Sequence, residues 1–328
     1  RTCHVRWRNA SGGWGALVAE IDLFGRTYDG RDVHVVRLAQ GGMRVEFLTY
    51  GARVHGLSIA ASPNMAGHAI DLASYESSAL YTGAVVGPVI NRISGGVATI
   101  DGHSHRFEVN EHGRNTLHSG SAGTQALVWQ IADHGRDWVA FSIMLHDGHG
   151  GFPGQRELRV TYRLLTDCML QVRIEATTDA PTLMNPALHS QWNLDGTDLW
   201  TGHRLSVAAR RYLPTTVEKI PTGQVAEVAG TPFDLRGLRA PDPGLDHNYC
   251  LPLNATSPMP VAELVGRSGR RLRVYSDAPG LQVYCGALSS IALEPQMWPD
   301  APAQPQFPSI LLQPGHVFRQ ESHYLFDT

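Results

Sequence analysis

The feature that most constrains the fold is an alternation of apolar and polar residues that recurs along the chain. Residues 43–47, 158–164 and 170–176 each place apolar side chains at every second position, with charged or polar ones between them. Successive side chains of a β-strand point to opposite faces of its sheet, so this period of two indicates strands with one buried face. Asp-Gly and Pro-Gly turn signals separate the runs. No segment of twelve or more residues combines a helical period with both caps. The sequence therefore predicts an all-β fold of many strands, with helix only in short turns.

Length and composition favour one domain without nucleic-acid or membrane partners. The chain has 328 residues, which fits one large β domain as well as two average ones, and no repeat, linker or compositional break divides it. Its 27 Lys and Arg against 30 Asp and Glu give a net charge of −3, whereas a nucleic-acid binder needs a basic face. The longest mostly apolar run, residues 83–90, is far shorter than the roughly 20 residues of a membrane helix.

The N-terminal residues do not match a secretory signal. Three arginines precede an apolar stretch that Glu20 and Asp22 interrupt, whereas a signal needs about 7–15 unbroken apolar residues. The chain does not begin with Met, which leaves a trimmed leader open. We expect a cytoplasmic protein.

Several familiar site types are missing from the sequence. It contains no G-x-S-x-G elbow, no phosphate-binding G-x-x-x-x-G-K-[ST] loop and no H-E-x-x-H metal motif. The four cysteines include no C-x-x-C pair. The histidine pairs His103/His105 and His146/His149 lie in Gly-flanked turns, and no Cys or carboxylate set completes a four-ligand metal site. We therefore expect no metal at these histidines.

Two polar positions stand out at the predicted strands. Glu294 precedes Pro295, which disfavours helix before it, so Glu294 is expected to be extended at a strand end. His189 shares one strand face with Gln191 and Asn193, opposite an apolar face. On periodicity alone each residue is more typical of a structural or solvated position than of a catalytic one. Periodicity also does not show that the two side chains meet.

The segments that carry a family resemblance occur in a fixed order along the chain. They are 48–52 (LTYGA), 83–96 (GAVVGPVINRISGG), 115–120 (NTLHSG) with Trp129, 147–154 (DGHGGFPG), 185–189 (NPALH) with 193–194, 244–249 (GLDHNY), 282–284 (QVY), and 293–296 (LEPQ) with 299–301 and 307–309. In these motifs the chain resembles the aldose 1-epimerase (galactose mutarotase) family, from about Ile21 to Phe326.

The resemblance implies a fold, a substrate class and a division of the chain. It implies a large antiparallel β-sandwich over residues 21–328 as a single domain, with residues 1–20 as an N-terminal extension that could be flexible. An open cleft would bind a free monosaccharide without cofactor or metal, in a monomer or a homodimer.

The resemblance also assigns roles to individual residues of this sequence. Glu294 matches the family's general base and His189 its general acid for opening and closing the sugar ring. The positions that match the family's substrate-binding residues are Asn91, Arg92, His118, Asp246 and Gln282.

Three departures from the family's motifs bear on the substrate. Pro88 stands where the family often has Arg, Ser119 where it usually has Gly, and Ala303 where it usually has Asn. None of them removes the implied acid or base. Two alternatives stay open at this point: a sugar-phosphate 1-epimerase, which would need a basic pocket, and a non-catalytic carbohydrate-binding domain on the same fold.

Overall fold

The computed structural model describes residues 19–166 and 168–327, and these form twenty-six β-strands. In chain order the strands are β1 (Glu20–Arg26), β2 (Asp32–Gln40), β3 (Met43–Leu48), β4 (Arg53–Ile59), β5 (Val85–Val86), β6 (Arg92–Ile93), β7 (Val97–Ile100), β8 (His103–Arg106), β9 (Thr116–Leu117), β10 (Gln130–His134), β11 (Trp138–Leu145), β12 (Arg156–Leu165), β13 (Met169–Thr178), β14 (Thr182–Leu183), β15 (Ala187–Leu188), β16 (Gln191–Trp192), β17 (Arg204–Val207), β18 (Arg211–Tyr212), β19 (Ala226–Glu227), β20 (Asp246–Cys250), β21 (Met259–Val265), β22 (Arg271–Ser276), β23 (Gly280–Tyr284), β24 (Ile291–Gln296), β25 (Leu311–Leu312) and β26 (Phe318–Asp327).

Helix is confined to short turns in the described part of the chain, as the sequence predicts. One α-helix, α1, spans Leu72–Tyr75, and the five 3₁₀ helices span Ser94–Gly96, Gly120–Ala122, Thr124–Ala126, His149–Gly151 and Ala301–Ala303. None of these described helices has the length and apolar character needed to cross a membrane. Of the N-terminal extension predicted over residues 1–20, residues 1–18 lie outside the described residues, and β1 begins at Glu20.

Three large antiparallel sheets and four two-stranded ones are formed by the described residues, and the large ones build most of the fold. Their strand orders are β1-β2-β3-β4, β10-β11-β12-β13-β26-β22-β21-β17 and β16-β24-β23-β20-β18-β19. The alternation read from the sequence appears as alternating burial in β12 and β13, where every second residue is buried. The fold is therefore the all-β, antiparallel architecture that the resemblance implies.

One large apolar cluster joins the three sheets. It contains Phe47 from the four-stranded sheet, Val160 and Ile174 from the eight-stranded sheet, and Val283 and Leu293 from the six-stranded sheet. Burial of each such side chain contributes roughly 1.5–3 kcal/mol, so this cluster holds the sheets together. In β23 and β24 the residues between these core positions point to the opposite face of the six-stranded sheet, which is where the functional residues lie.

Candidate active site

A polar cavity of about 460 Å³ lies over the face of the six-stranded sheet that is turned away from the core. Its described lining residues are Gly67, His68, Ser78, Ala79, Tyr81, Thr82, Asn91, Arg92, Leu117, His118, His189, Gln191, Asp246, Gln282, Tyr284, Ala287, Ser289, Ser290 and Glu294. All seven site residues expected from the sequence are in this set. They come from six separate stretches of the chain, which the fold brings to one place.

The strand register explains how the floor of the cavity is built. Four neighbouring strands, β20, β23, β24 and β16, place side chains in rows across the sheet. In one row the neighbouring residues are Asn248, Gln282, Glu294 and, by extension of the same register, His189. In the next row they are Asp246, Tyr284, Ala292 and Gln191. Residues two apart along a strand are roughly 6.5 Å apart, so neighbouring rows have this separation.

Glu294 and His189 meet at the floor of the cavity. The Glu294 Oε1 and His189 Nε2 atoms are 3.4 Å apart, and the two residues are 2% and 7% exposed. The His189 backbone is fixed, because its N–H donates to the Ala84 carbonyl and its carbonyl accepts from Gly83 N–H. Gly83 has a φ of +68°, and a Cβ there would lie 2.2 Å from the Val54 carbonyl oxygen, so this close approach requires glycine.

Burial shifts the two ionisable groups in opposite directions. Removal from water raises the pKa of Glu294 well above its usual range, and the nearby Asp246 charge adds to this effect. Burial lowers the pKa of His189 to about 4. Burial therefore favours the uncharged form of each group, the carboxylic acid and the neutral imidazole. The 3.4 Å contact is a carboxylic acid beside a neutral imidazole, with a short route for moving the proton between them.

Arg92 is held between two carboxylates at the other end of the cavity. Its Nε and Nη2 atoms donate to both Glu111 oxygens at 2.8–3.1 Å, and its Nη1 atom lies 4.0 Å from Asp246 Oδ2. The Arg92 and Glu111 side chains are each 12% exposed. A bidentate pair of this kind fixes the plane of the guanidinium group. Glu111 was not among the residues expected from the sequence.

Asp246 and Gln282 are also linked. The Gln282 Nε2 atom donates to Asp246 Oδ1 at 2.6 Å across β23 and β20. The bond fixes which end of the amide faces Asp246, and it leaves the second Asp246 oxygen on the side of Arg92. The two residues therefore form one connected polar surface with Arg92, on which Asp246 accepts and Arg92 donates.

Asn91 and His118 hold each other through their backbones. His118 N–H donates to the Asn91 carbonyl at 2.9 Å, and Asn91 N–H donates to His118 Nδ1 at 3.1 Å. Burial, and the neighbouring His189 and Arg92, lower the pKa of His118 well below its usual value, so its ring is neutral. Since Nδ1 accepts a hydrogen bond, the ring proton is on Nε2. His118 thus offers a hydrogen-bond donor rather than a charge.

Tyr81 covers the two histidines. Its ring centroid is 4.4 Å from that of His118 and 6.1 Å from that of His189. The segment that carries it is fastened by the fully buried Arg53, which donates to the carbonyls of Leu80 and Thr82 at 3.2 Å. Tyr81 was not expected from the sequence, where nothing distinguishes it from a core tyrosine.

The three departures from the family's motifs lie outside the described lining of the cavity. The Pro88 carbonyl accepts from Asn185 N–H, and Ala303 ends a 3₁₀ helix. Ser119 adopts a φ of +63°, which explains why glycine suits this position. Its hydroxyl donates to the Val89 carbonyl and accepts from Val89 N–H, both at 2.9 Å, and these bonds offset the backbone strain.

The two histidine pairs in the turns are remote from this cavity lining. His103 lies on β8, and its Nδ1 atom contacts the Asp101 carbonyl, while His149 lies in a 3₁₀ turn. Within residues 19–166 and 168–327, no group of three His, Cys, Asp or Glu side chains is arranged to hold a metal ion.

Known proteins resemble this chain over most of its length. A family model described as aldose 1-epimerase matches residues 34–325. The galactose mutarotase of Rattus norvegicus is 33% identical, over 90% of this chain and 95% of the rat protein. The aldose 1-epimerase of Escherichia coli K12 is 30% identical, over 91% and 96% of the two chains.

Solved structures show the same fold. The galactose 1-epimerase of Lactobacillus acidophilus superposes with a TM-score of 0.82 at 26% identity, covering 94% of this chain and 98% of that one. An aldose epimerase homologue from C. elegans gives 0.82 at 25% identity, covering 89% and 98%.

Proposed function

The chain belongs to the aldose 1-epimerase family, and we propose that it interconverts the α and β anomers of a free, neutral aldose of the glucose or galactose type. The observation that carries the proposal is the buried contact between Glu294 and His189 at the floor of a polar cavity. The enzyme is an isomerase, and it uses proton transfer by side chains rather than a metal or cofactor.

The reaction needs one group that takes a proton and one that gives a proton. The base removes the proton from the C1 hydroxyl while the acid protonates the ring oxygen, and the C1–O5 bond breaks to give the open aldehyde. Rotation about C1–C2 exposes the other face of the aldehyde, and the ring closes with the proton transfers reversed. Positioned acid and base groups contribute roughly 10²–10⁴-fold to such a step.

Glu294 acts as the base and His189 as the acid in the ring-opening direction. The reaction requires one proton on the pair, and binding of the sugar transfers this proton from the carboxyl to the imidazole across the 3.4 Å contact. A C1 hydroxyl donating to the carboxylate stabilises its ionised form, and the ring oxygen accepts from the imidazolium. Ring closure then exchanges the two roles.

The remaining site residues hold the sugar hydroxyls. Arg92 and His118 donate through Nη1 and Nε2, while Asp246 accepts, and Asn91 and Gln282 keep these groups in place. Charged partners for hydroxyls give the stronger class of hydrogen bonds. Together they fix the ring so that C1 and the ring oxygen face the catalytic pair.

The charge of the cavity favours a neutral sugar over a sugar phosphate. Among the described lining residues Arg92 is the only arginine or lysine, and it is already paired with Glu111. A phosphate group would lie near the Asp246 carboxylate without a free cation to balance it. A purely sugar-binding role would not require an acid and a base in contact beneath the ring.

Mutarotation measured on several sugars tests the proposal. Freshly dissolved α-glucose, α-galactose and α-glucose 6-phosphate are followed by polarimetry, with EDTA present throughout. We expect acceleration well above the buffer rate for the two neutral sugars and much less for the phosphate. A protein that never exceeds the buffer rate on glucose or galactose would overturn the proposal, and a preference for the phosphate would reassign the substrate.

A further inference from the structure

A second, much smaller cavity lies against the residues that hold the sugar. We call it the side cavity, and its volume of about 10 Å³ is near the roughly 10–15 Å³ that one water molecule needs. Its described lining residues are Asn91, Leu213, Thr215, Lys219, Pro221, Asp246, Asn248, Gln282 and Pro299. Asn91, Asp246 and Gln282 line both cavities and therefore form the partition between them.

Lys219 brings a positive charge to the side cavity. It is the only lysine in the chain, and it is partly buried. Among the described residues no carboxylate lies close enough to form a direct ion pair with it. Burial, and then the positive charge of Lys219, lower the pKa of His247, which follows Asp246 on β20. The ammonium group is therefore near this strand.

The loop that carries Lys219 has a fixed backbone. Thr215 and Pro221 form an isolated antiparallel bridge at its two ends, and between them Lys219 N–H donates to the Thr216 carbonyl at 3.0 Å. Gln304 Nε2 also donates to the Pro221 carbonyl at 3.3 Å. Because the backbone is held in this way, the flexible lysine side chain alone decides where the ammonium group lies.

Asn248 contributes a buried acceptor to the side cavity. It is 2% exposed, and within the described residues its Oδ1 atom has no hydrogen-bond partner. A buried acceptor without a donor is costly, so we expect a donor in the side cavity. Asp246 lines the same cavity, and its Oδ1 atom already accepts from Gln282. One water molecule can donate to Asn248 and Asp246 with its two hydrogens while it accepts from an ammonium group.

We propose that Lys219 is a positioning residue for sugar binding, which acts through one water molecule in the side cavity on Asp246 and Asn248. The water accepts from the ammonium group and fixes the Asp246 carboxylate in the orientation that accepts a sugar hydroxyl. The inference rests on the proposed function for the identity of the ligand. Lys219 is not among the lining residues of the main cavity, so its charge stays behind Asp246 and is not available to a phosphate group there.

Removal of the Lys219 charge tests the inference. Lys219→Met keeps the length of the side chain but removes its donors, and we expect glucose to bind about three- to tenfold more weakly with kcat nearly unchanged. Calorimetry gives the affinity and anomer-exchange NMR gives kcat and KM. Arg136→Met is the matched control, because it removes one charge from an exposed turn between β10 and β11, outside both described cavity linings. It should leave affinity and rate at the parent values.

Deoxy sugars show whether the effect passes through Asp246. The 2-, 3-, 4- and 6-deoxy derivatives of glucose each lack one hydroxyl, and one of them lacks the hydroxyl that Asp246 accepts. For that sugar Lys219→Met should weaken binding by less than about twofold, whereas the other deoxy sugars should show the same loss as glucose, because interactions in one network are not additive. A role of Lys219 in folding alone would weaken the binding of every sugar by the same factor and would overturn the inference.

The single lysine also permits a measurement on the unaltered protein. Lysine labelled with ¹³C at Cε gives one side-chain NMR signal, that of Lys219. We expect glucose to shift this signal along the binding curve that calorimetry measures, and glycerol at the same concentration to leave it in place. A signal that does not move at saturating glucose would contradict the inference.

These outcomes distinguish the inference from the proposed function. If glucose anomers exchange at the buffer rate, the proposed function fails, while the calorimetric affinities and the Lys219 signal still decide whether Lys219 positions the sugar site. If glucose is accelerated but Lys219→Met binds it as tightly as the parent, Lys219 has no positioning role.

Discussion

The sugar-binding residues of the cavity (its binding end) and the Glu294–His189 pair (its catalytic end) differ in whether their polar groups already have hydrogen-bond partners within the protein. At the binding end Arg92 is held by Glu111, and Gln282 donates to Asp246. At the catalytic end His189 Nδ1 is buried without a hydrogen-bond partner, and Nε2 lies 3.4 Å from Glu294. The binding groups are thus oriented before the sugar arrives, whereas the catalytic pair keeps a proton that can change its position.

The two ends also differ in how the surrounding protein affects their ionisable groups. Arg92 lies between the Glu111 and Asp246 carboxylates, which orient its guanidinium group for a ligand hydroxyl. Glu294 and His189 are shifted by burial toward their neutral forms. Neutral groups with shifted pKa values are suited to passing protons, and fixed charges are suited to holding a ligand. Changes at the catalytic end should therefore alter turnover, and changes at the binding end should alter affinity.

The largest expected effect comes from removing the carboxyl at the catalytic end. Glu294→Gln keeps the shape of the side chain but removes the base, so kcat should fall by roughly 10²-fold or more while sugar affinity changes much less. Anomer-exchange NMR gives the rate and calorimetry the affinity. Glu46→Gln is a matched control, since Glu46 is buried beside Arg37 and outside the cavity lining. A Glu294→Gln enzyme as fast as the parent would remove Glu294 from the mechanism.

The pH dependence of kcat/KM should show that the pair works with one proton. Below a pH of about 4, His189 becomes protonated while Glu294 also holds its proton, so no base is left and the rate falls about tenfold per pH unit. As pH rises through the raised pKa of Glu294, the last proton is lost and no acid is left. We expect a plateau between these two limbs. Circular dichroism at each pH checks that the protein stays folded, and an acid limb near 6.5 would contradict the buried, neutral His189.

A smaller effect is expected at the binding end. Glu111→Gln replaces the bidentate carboxylate by a group with a single acceptor, so Arg92 is held less firmly and KM should rise about three- to tenfold with kcat nearly unchanged. Glu218→Gln is the control, because Glu218 pairs with Arg114 outside the described cavity lining. A fall in kcat with constant KM would contradict the assignment of affinity to the binding end and of turnover to the catalytic end. Thermal unfolding of both variants separates a positioning role from a loss of stability.

Glu111 is a site residue that the sequence did not predict. It lies in a turn four residues before the Asn115 motif, and a lone acidic residue in a turn is typically solvated. Glu111 can bind Arg92 because an isolated β-bridge between Glu111 and Asn115 turns the chain back toward Arg92. The only signal in the sequence was its proximity to a family motif, which does not name a partner nineteen residues away.

Period-two alternation was enough to predict strands and to place His189 on a polar face, because the direction of a side chain along a strand is a local property. The family motifs named seven cavity residues, since a motif records which residue types occur together. Only the tertiary structure decided that Glu294 and His189 lie 3.4 Å apart, that their pKa values move in opposite directions and that Glu111 holds Arg92. The physical reason is that interatomic distances, burial and the electrostatic field at the site depend on strands that are far apart in the sequence. A local sequence pattern therefore cannot predict them.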